Sequence, residues 1–193
     1  MFDIRAHDDT PAAPGDLEDV QRFMNLHEHR PGDPEALPPS SHMVRAFLVE
    51  HGHLDPRSGF GERDLAAALA LHGALHARVR ANAGARTPEP DVRAIDRIAR
   101  DAGLQPSFGA DRPRLVPSAS GVLGALGRLV AIAFHADLDG SWSFLKECAG
   151  QDCTAVFFDR SKNHSGRWCS MSSCGNRAKV RAWRERQRTG SRA

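Results

Sequence analysis

Four cysteines stand in the last 46 residues of the 193-residue chain: Cys148, Cys153, Cys169 and Cys174. They fall into two pairs, CAGQDC and CSMSSC, each with four intervening residues, and fifteen residues separate the pairs. Two tight turns, each presenting two sulfurs and joined by a hairpin, are what a tetrahedral zinc site requires. Four thiolates leave no open coordination position, so this spacing predicts a structural ion rather than a catalytic one. Two disulfides or an iron–sulfur cluster would use the same four thiols. The even pairing and the expected reducing compartment favour one Zn2+.

The residues around the cysteines set further expectations. Ala155 to Phe158 reads as a short apolar strand, Asp159 to Gly166 as a polar turn, and Arg167–Trp168 as the start of a returning strand that ends at Cys169. Cys174 then sits where a helix begins, so the helix amides and dipole favour its negative charge. The stretch Cys174 to Arg188, CGNRAKVRAWRERQR, is strongly cationic. At about 100° per residue, Arg177, Arg181, Arg184 and Arg188 share one side of that helix. Lys179 and Arg186 lie on the other, and Val180, Ala182 and Trp183 are available for packing. Arg177, Lys179, Arg181, Arg184 and Arg188 are therefore candidate phosphate contacts, with a salt-dependent affinity for nucleic acid as the consequence. A solvated helix, with Arg177 bracing the metal centre, is the competing reading. No base-reading signature is present.

Charge supports the first reading. The net charge of +2 divides into +7 over residues 146–193 and −5 over the rest, counted from Lys, Arg, Asp and Glu. A basic tail on an acidic body suggests a binding surface for an anionic partner, DNA first.

Other candidate sites are weaker. His27, Glu28 and His29, and His51 with His53, lack a metal-binding pattern such as H-E-x-x-H. His72 and His76 stand one helical turn apart and could share a metal, but the sequence supplies no further ligand. Asn25, Arg80 and Asn82 are the polar residues expected to line a small-molecule pocket in the helical body, with capping or surface hydrogen bonding as the alternative. Gly121, Gly124 and Gly127 lack the Lys-Ser/Thr of a phosphate-binding loop, and close helix packing is their expected use. No Ser/His/Asp or Cys/His catalytic set is evident.

The elements that must position these residues are mostly helices. Apolar periodicity predicts helices over Leu17 to His29, Ser41 to His51, Glu62 to Asn82, Glu89 to Ala102 and from Ser118 or Ser120 to about Asp137. Asp16 is the expected N-cap of the first. Leu104 to Pro117, with three prolines and a glycine, fits a hairpin better than a helix. The apolar run around Val122 to Phe134 is broken by Gly124, Gly127 and Arg128 and reads as a buried helix, not a membrane span. The N-terminus lacks an apolar signal region, so a cytoplasmic protein is expected. The fold class is α+β, mainly α: a helical domain over residues 1–140 with a small β element, then a treble-clef-like ββα zinc module over 141–193.

The string Asp159, Asn163, Arg167-Trp168-Cys169-Ser170-Met171 and Cys174-Gly175-Asn176-Arg177-Ala178-Lys179 resembles the CGNR zinc finger. In a group of bacterial proteins that module follows a stress-induced transcription regulator domain, the ABATE domain. Phe23-Met24-Asn25, Leu71-His72-Gly73-Ala74-Leu75 and Arg80-Ala81-Asn82 carry the resemblance in the helical part. After Asn25 the family pattern expects a small polar residue, and this chain has Leu26. The resemblance implies a zinc-bound C-terminus and a role in transcription. On this reading the chain is a DNA-contacting regulator, not an enzyme, whose helical body senses an effector or forms a homodimer. A ligand- or protein-binding protein with a purely structural zinc, and an enzyme with a pocket in the helical body, are the rivals.

Overall fold

The computed structural model describes residues 10–27, 37–84, 86–109, 113–151 and 153–190. Its first helix, α1 (Leu17–Met24), exists because Leu17, Val20, Phe23 and Met24 recur at helical spacing and all are buried. It stops five residues before the expected end; Glu28 and His29 lie outside the described residues. Asp16 sits at the N-cap position but makes no side-chain cap bond and has helical angles itself. The chain enters instead through Gly15 at φ +55°, whose carbonyl accepts from the Glu18 amide at 3.1 Å.

Helix α2 (Ser41–Glu50) contributes Val44, Phe47 and Leu48 to the core. The central α3 (Glu62–Ala81) buries Ala68, Leu71, Leu75 and Val79 down one face, and Asp64 caps it by accepting from the Gly61 amide at 2.8 Å. Helix α4 (Glu89–Asp101) is an outer layer that buries only Ile98 along its length. Gly103, at φ +59°, reverses the chain into the hairpin of β1 (Leu104–Phe108) and β2 (Pro113–Pro117), paired antiparallel from Leu104↔Pro117 to Phe108↔Pro113. Helix α5 (Gly121–Leu138) has 18 residues and a mean hydropathy of 1.4, enough by composition to cross a membrane. Here Val122, Ala125, Leu126, Leu129 and Val130 are buried in the protein core, as a core helix requires. Of the three spaced glycines only Gly127 serves close packing between elements: a Cβ there would lie 2.5 Å from Ala102 Cβ. Gly124 instead clears the Ala119 carbonyl in the helix entry, and Gly121 supplies φ +63°.

After a 3-10 turn (Ser141–Phe144) come β3 (Leu145–Glu147) and β4 (Val156–Phe158), antiparallel with Leu145↔Phe158 and Glu147↔Val156. This corrects the expected hairpin. The partner of the AVFF strand is the segment before Cys148, not Arg167–Trp168 after the polar turn. Leu145 is fully buried whereas Trp168 is half-buried, so β3 has the apolar side chain to share β4's core. Arg167 contributes one backbone bond, its carbonyl accepting from Ala149 N–H at 2.8 Å. The chain then makes a wide turn (Met171–Gly175) and ends in α6 (Asn176–Gly190).

The core does not break where the helical part hands over to the C-terminal module. Trp142, Leu145 and Val156 belong to one buried cluster with Phe23, Leu71 and Leu75. Asn25 fastens the junction: its Nδ2 donates to the Val156 carbonyl at 2.8 Å and its Oδ1 accepts from the Val156 N–H at 2.7 Å. The side-chain amide thus substitutes for a neighbouring strand. Gln21 Nε2 donates to the same carbonyl and to Pro11 O, at 3.1 and 3.0 Å. Asn25→Ala leaves the fully buried Val156 without its amide partner. A buried unsatisfied donor costs roughly 1–3 kcal/mol. Urea unfolding should show a loss of about that size, and an unchanged midpoint would remove Asn25 from the junction.

Candidate metal centre

The four cysteine sulfurs converge to within 4.8 Å of one another. Cys153 and Cys169 Sγ are 3.7 Å apart, and Cys169 and Cys174 Sγ 3.6 Å. Sulfurs at about 2.3 Å from a tetrahedral zinc stand about 3.8 Å from each other, whereas a disulfide bond is about 2.05 Å. All four thiols are free. The donor set, its separation and its burial therefore fit one zinc ion with no coordination site left over.

Local sequence brings the sulfurs in. Gly150 makes the first turn possible, because a Cβ there would lie 3.0 Å from Cys153 Cβ and 3.4–3.5 Å from the sulfurs of Cys174 and Cys148. Gly175 is less constrained, since a Cβ there would meet chiefly the flexible end of Met171, with Sδ at 2.8 Å. Its amide donates to Ser170 O, five residues back, at 3.0 Å, which widens the turn before α6 starts. Cys174 thus precedes the helix within this turn. The amides of Gly150 and Cys169 both donate to Cys148 Sγ at 3.4 Å, and Arg177 Nη2 donates to Cys174 Sγ at 3.0 Å. These donors and the guanidinium offset the negative charge of a four-thiolate centre. Hydrogen bonds from the Cys153 and Cys169 thiols hold Cys148 well below the usual thiol range, and the shared proton pushes Cys153 up to about 12. A metal-free cluster therefore keeps protons that zinc must displace, so metal binding releases protons.

Between the cysteine pairs lies an unexpected polar knuckle. Asp159 is buried, at 3% exposure. It accepts from Lys146 Nζ at 2.6 Å, from Ser161 N–H at 2.9 Å and from Gly166 N–H at 2.9 Å. Burial alone would push its carboxyl up, but Lys146 and the two amides outweigh that and hold it well below the carboxylate range. A Cβ on Gly166 would lie 2.6 Å from Asp159 Oδ1, so the polar turn needs glycine there. The spacing Asp-x6-Gly between cysteine pairs is the signal that marks this knuckle in the sequence.

The other sequence candidates scatter. Arg177 is engaged with sulfur, Arg181 is half-buried beside Cys153 and Cys174, and Lys179, Arg184 and Arg188 are exposed on α6. Val180 and Trp183, two of the residues available for packing, are 48% and 56% exposed. Asn25, Arg80 and Asn82 line up along the junction. Arg80 bridges to Glu147 at 3.0 Å, and Asn82 Nδ2 donates to the carbonyls of Trp142 and Leu145 at 2.8 and 3.0 Å. Of the three, Asn25 also borders a cavity, of about 200 Å3, beside Met43 and Phe47. His51 and His53 both bond Asp19, at 2.6 and 2.9 Å. His72 and His76 meet His27, a third histidine that sequence spacing did not join to them.

A helical body that buries one strand of a small module, with four convergent thiols and a basic terminal helix, defines a zinc-finger-bearing two-part protein. Residues 145–187 match the family model of the CGNR zinc finger, and residues 5–138 match ABATE, described as "Putative stress-induced transcription regulator". The chain belongs to the ABATE family and carries a C-terminal CGNR zinc finger. No curated protein matches it.

Two outcomes follow. Asp159→Asn breaks a buried ion pair, and the loss should be roughly 3 kcal/mol at pH 7. Because Asp159 titrates lower in the folded protein than in the unfolded chain, its contribution is full above the unfolded value of about 4 and fades as pH falls below it. The stability gap between wild type and variant, followed by thermal melts, should narrow from pH 5 towards pH 2; a constant gap would contradict the assignment. Cys169→Ser should abolish tight zinc retention through dialysis, measured by elemental analysis, while an unchanged zinc content would remove Cys169 from the centre.

Proposed function

We propose that this chain holds one structural zinc ion on Cys148, Cys153, Cys169 and Cys174 and acts as a transcription regulator that meets DNA through α6. The reading rests on one observation above the others: α6 carries Lys179, Arg184 and Arg188 exposed, and it is rooted through Arg177 on the thiolate centre. Such a helix presents fixed cations to a phosphate backbone without spending its own ordering entropy at each contact. Arg177 serves the root. Arg181 stands between root and surface, and the outer residues neutralise phosphate. The family description supports the regulatory role. Free thiols suit a reducing cytoplasm.

The helical body receives the signal or a second copy of the chain. A cavity of about 640 Å3 among α1, β2 and α5, bordered by Asp19, Arg114, His53, Arg128 and His135, offers room for a small effector with both charge signs within reach. A second reading is favoured by Val180 and Trp183, exposed one turn apart on α6. In it, the helix docks on a partner protein and zinc only fixes the C-terminus.

The two readings separate in one series. Binding of the full chain to duplex DNA should weaken steeply with salt, and Arg181→Ala/Arg184→Ala/Arg188→Ala should reduce the salt slope by up to about 3. Trp183→Ala should change DNA binding little. DNA affinity that is untouched by the arginine variant would sink the DNA reading.

A further inference from the structure

A second cluster of metal-binding side chains lies at the junction, apart from the cysteines. His72 and His76 stand one turn apart on α3, and His27 follows α1. One nitrogen from each lies within 4.8 Å of the others. The ring centroids are 4.8 Å apart for His72–His76, 5.5 Å for His27–His72 and 5.8 Å for His27–His76. All three side chains are buried.

The hydrogen bonds around His76 do not close with an ordinary neutral ring. Its Nε2 is 2.9 Å from the Met24 carbonyl and its Nδ1 is 2.8 Å from Glu147 Oε1. Both neighbours are acceptors, and a neutral imidazole has one N–H. One nitrogen therefore faces an acceptor without a proton unless the ring takes up a second proton or a cation. His72 Nε2 points to the same Met24 carbonyl at 3.0 Å. Two imidazole nitrogens thus converge on one oxygen, with His27 beside them.

We propose that His27, His72 and His76 form a second metal site, for a divalent cation of the zinc class. Neutral imidazole nitrogens suit zinc, cobalt and nickel rather than magnesium or calcium. Three nitrogens no more than 4.8 Å apart share a point within about 2.8 Å of each, so reaching the ~2.1 Å of a zinc–nitrogen bond takes only small side-chain shifts. The supporting groups are in place. With the cation on Nε2, His76 keeps its proton on Nδ1 and donates it to Glu147, which Arg80 holds at 3.0 Å. A carboxylate behind a ligating histidine fixes its tautomer and raises its basicity. Thr154 Oγ1 stands 3.1 Å from His27 Nε2 and restrains that ring. The Met24 carbonyl, 3.0 and 2.9 Å from His72 and His76 Nε2, is an oxygen available for a further position.

The site lies between the end of α1, the middle of α3, and Glu147 and Thr154 of the C-terminal module. The ion would therefore tighten the same junction that Asn25 fastens. The proposal does not depend on DNA binding.

The test is titration of chelator-treated, thiol-reduced full chain with Co2+. After the four-thiolate centre has filled with its intense sulfur-to-cobalt charge-transfer bands, wild type should bind a second equivalent that adds only weak ligand-field bands and raises the melting temperature. His72→Gln/His76→Gln should lose that second equivalent and keep the charge-transfer bands, which also report that the module is folded. Should that variant fail to fold, 113Cd resonance of wild type decides alone: one thiolate-type and one nitrogen-type signal are expected. Saturation of wild type at one equivalent, or a lone thiolate-type signal, overturns the proposal. So does a second equivalent that survives unchanged in the double variant.

Discussion

The strand Val156–Phe158 is the constraint on which the rest hangs. A segment of under fifty residues with few large apolar side chains cannot build an adequate core of its own. Here Val156 is fully buried in one cluster with Phe23, Leu71 and Leu75, and its N–H and C=O are both matched by the Asn25 amide, with Gln21 adding a second donor to the carbonyl. An unpaired strand edge inside a helical core would be prohibitive. A single asparagine at the end of α1 removes that cost and fixes the register of the module on the body. The four-cysteine cluster then gathers what lies beyond the strand: two short turns and the root of α6.

Polar chemistry around the centre works inwards from that strand. Asp159 follows β4 directly and gathers Lys146, Ser161 and Gly166 around one carboxylate. The polar turn between the cysteine pairs is therefore fixed at its base without apolar packing. Arg177 completes the arrangement from the other side, touching Cys174. The guanidinium thus belongs to the metal centre as much as to the helix, and the cationic stripe read from the helical wheel begins one turn later than its spacing suggests.

What was legible in the sequence is what depends on local spacing. Helical periodicity located the five helices of the body among the described residues, because each sets apolar side chains on a shared core. The proline-rich stretch after Gly103 announced a hairpin. The cysteine pairs announced their own convergence. What was not legible depends on distant partners. Asn25 and Val156 are 131 positions apart, so nothing near either residue indicates that one caps the other. The returning strand expected at Arg167–Trp168 failed because β3, before the first cysteine, has Leu145 to place in the core. The His72–His76 spacing was visible, but His27 joins them only through the packing of α1 on α3. Its sequence neighbour His29, which would have been the natural partner, lies outside the described residues.

The wide turn that precedes the last helix carries a geometric consequence. Helix α6 has 15 residues and so extends roughly 22 Å. Its substantial packing is on the turn Met171–Gly175. It therefore behaves as a cantilever clamped at one end, and a tilt of about 10° at the clamp carries Arg188 sideways by roughly 3 Å. Any event that re-angles this clamp therefore moves the outer cations together, as one rigid set.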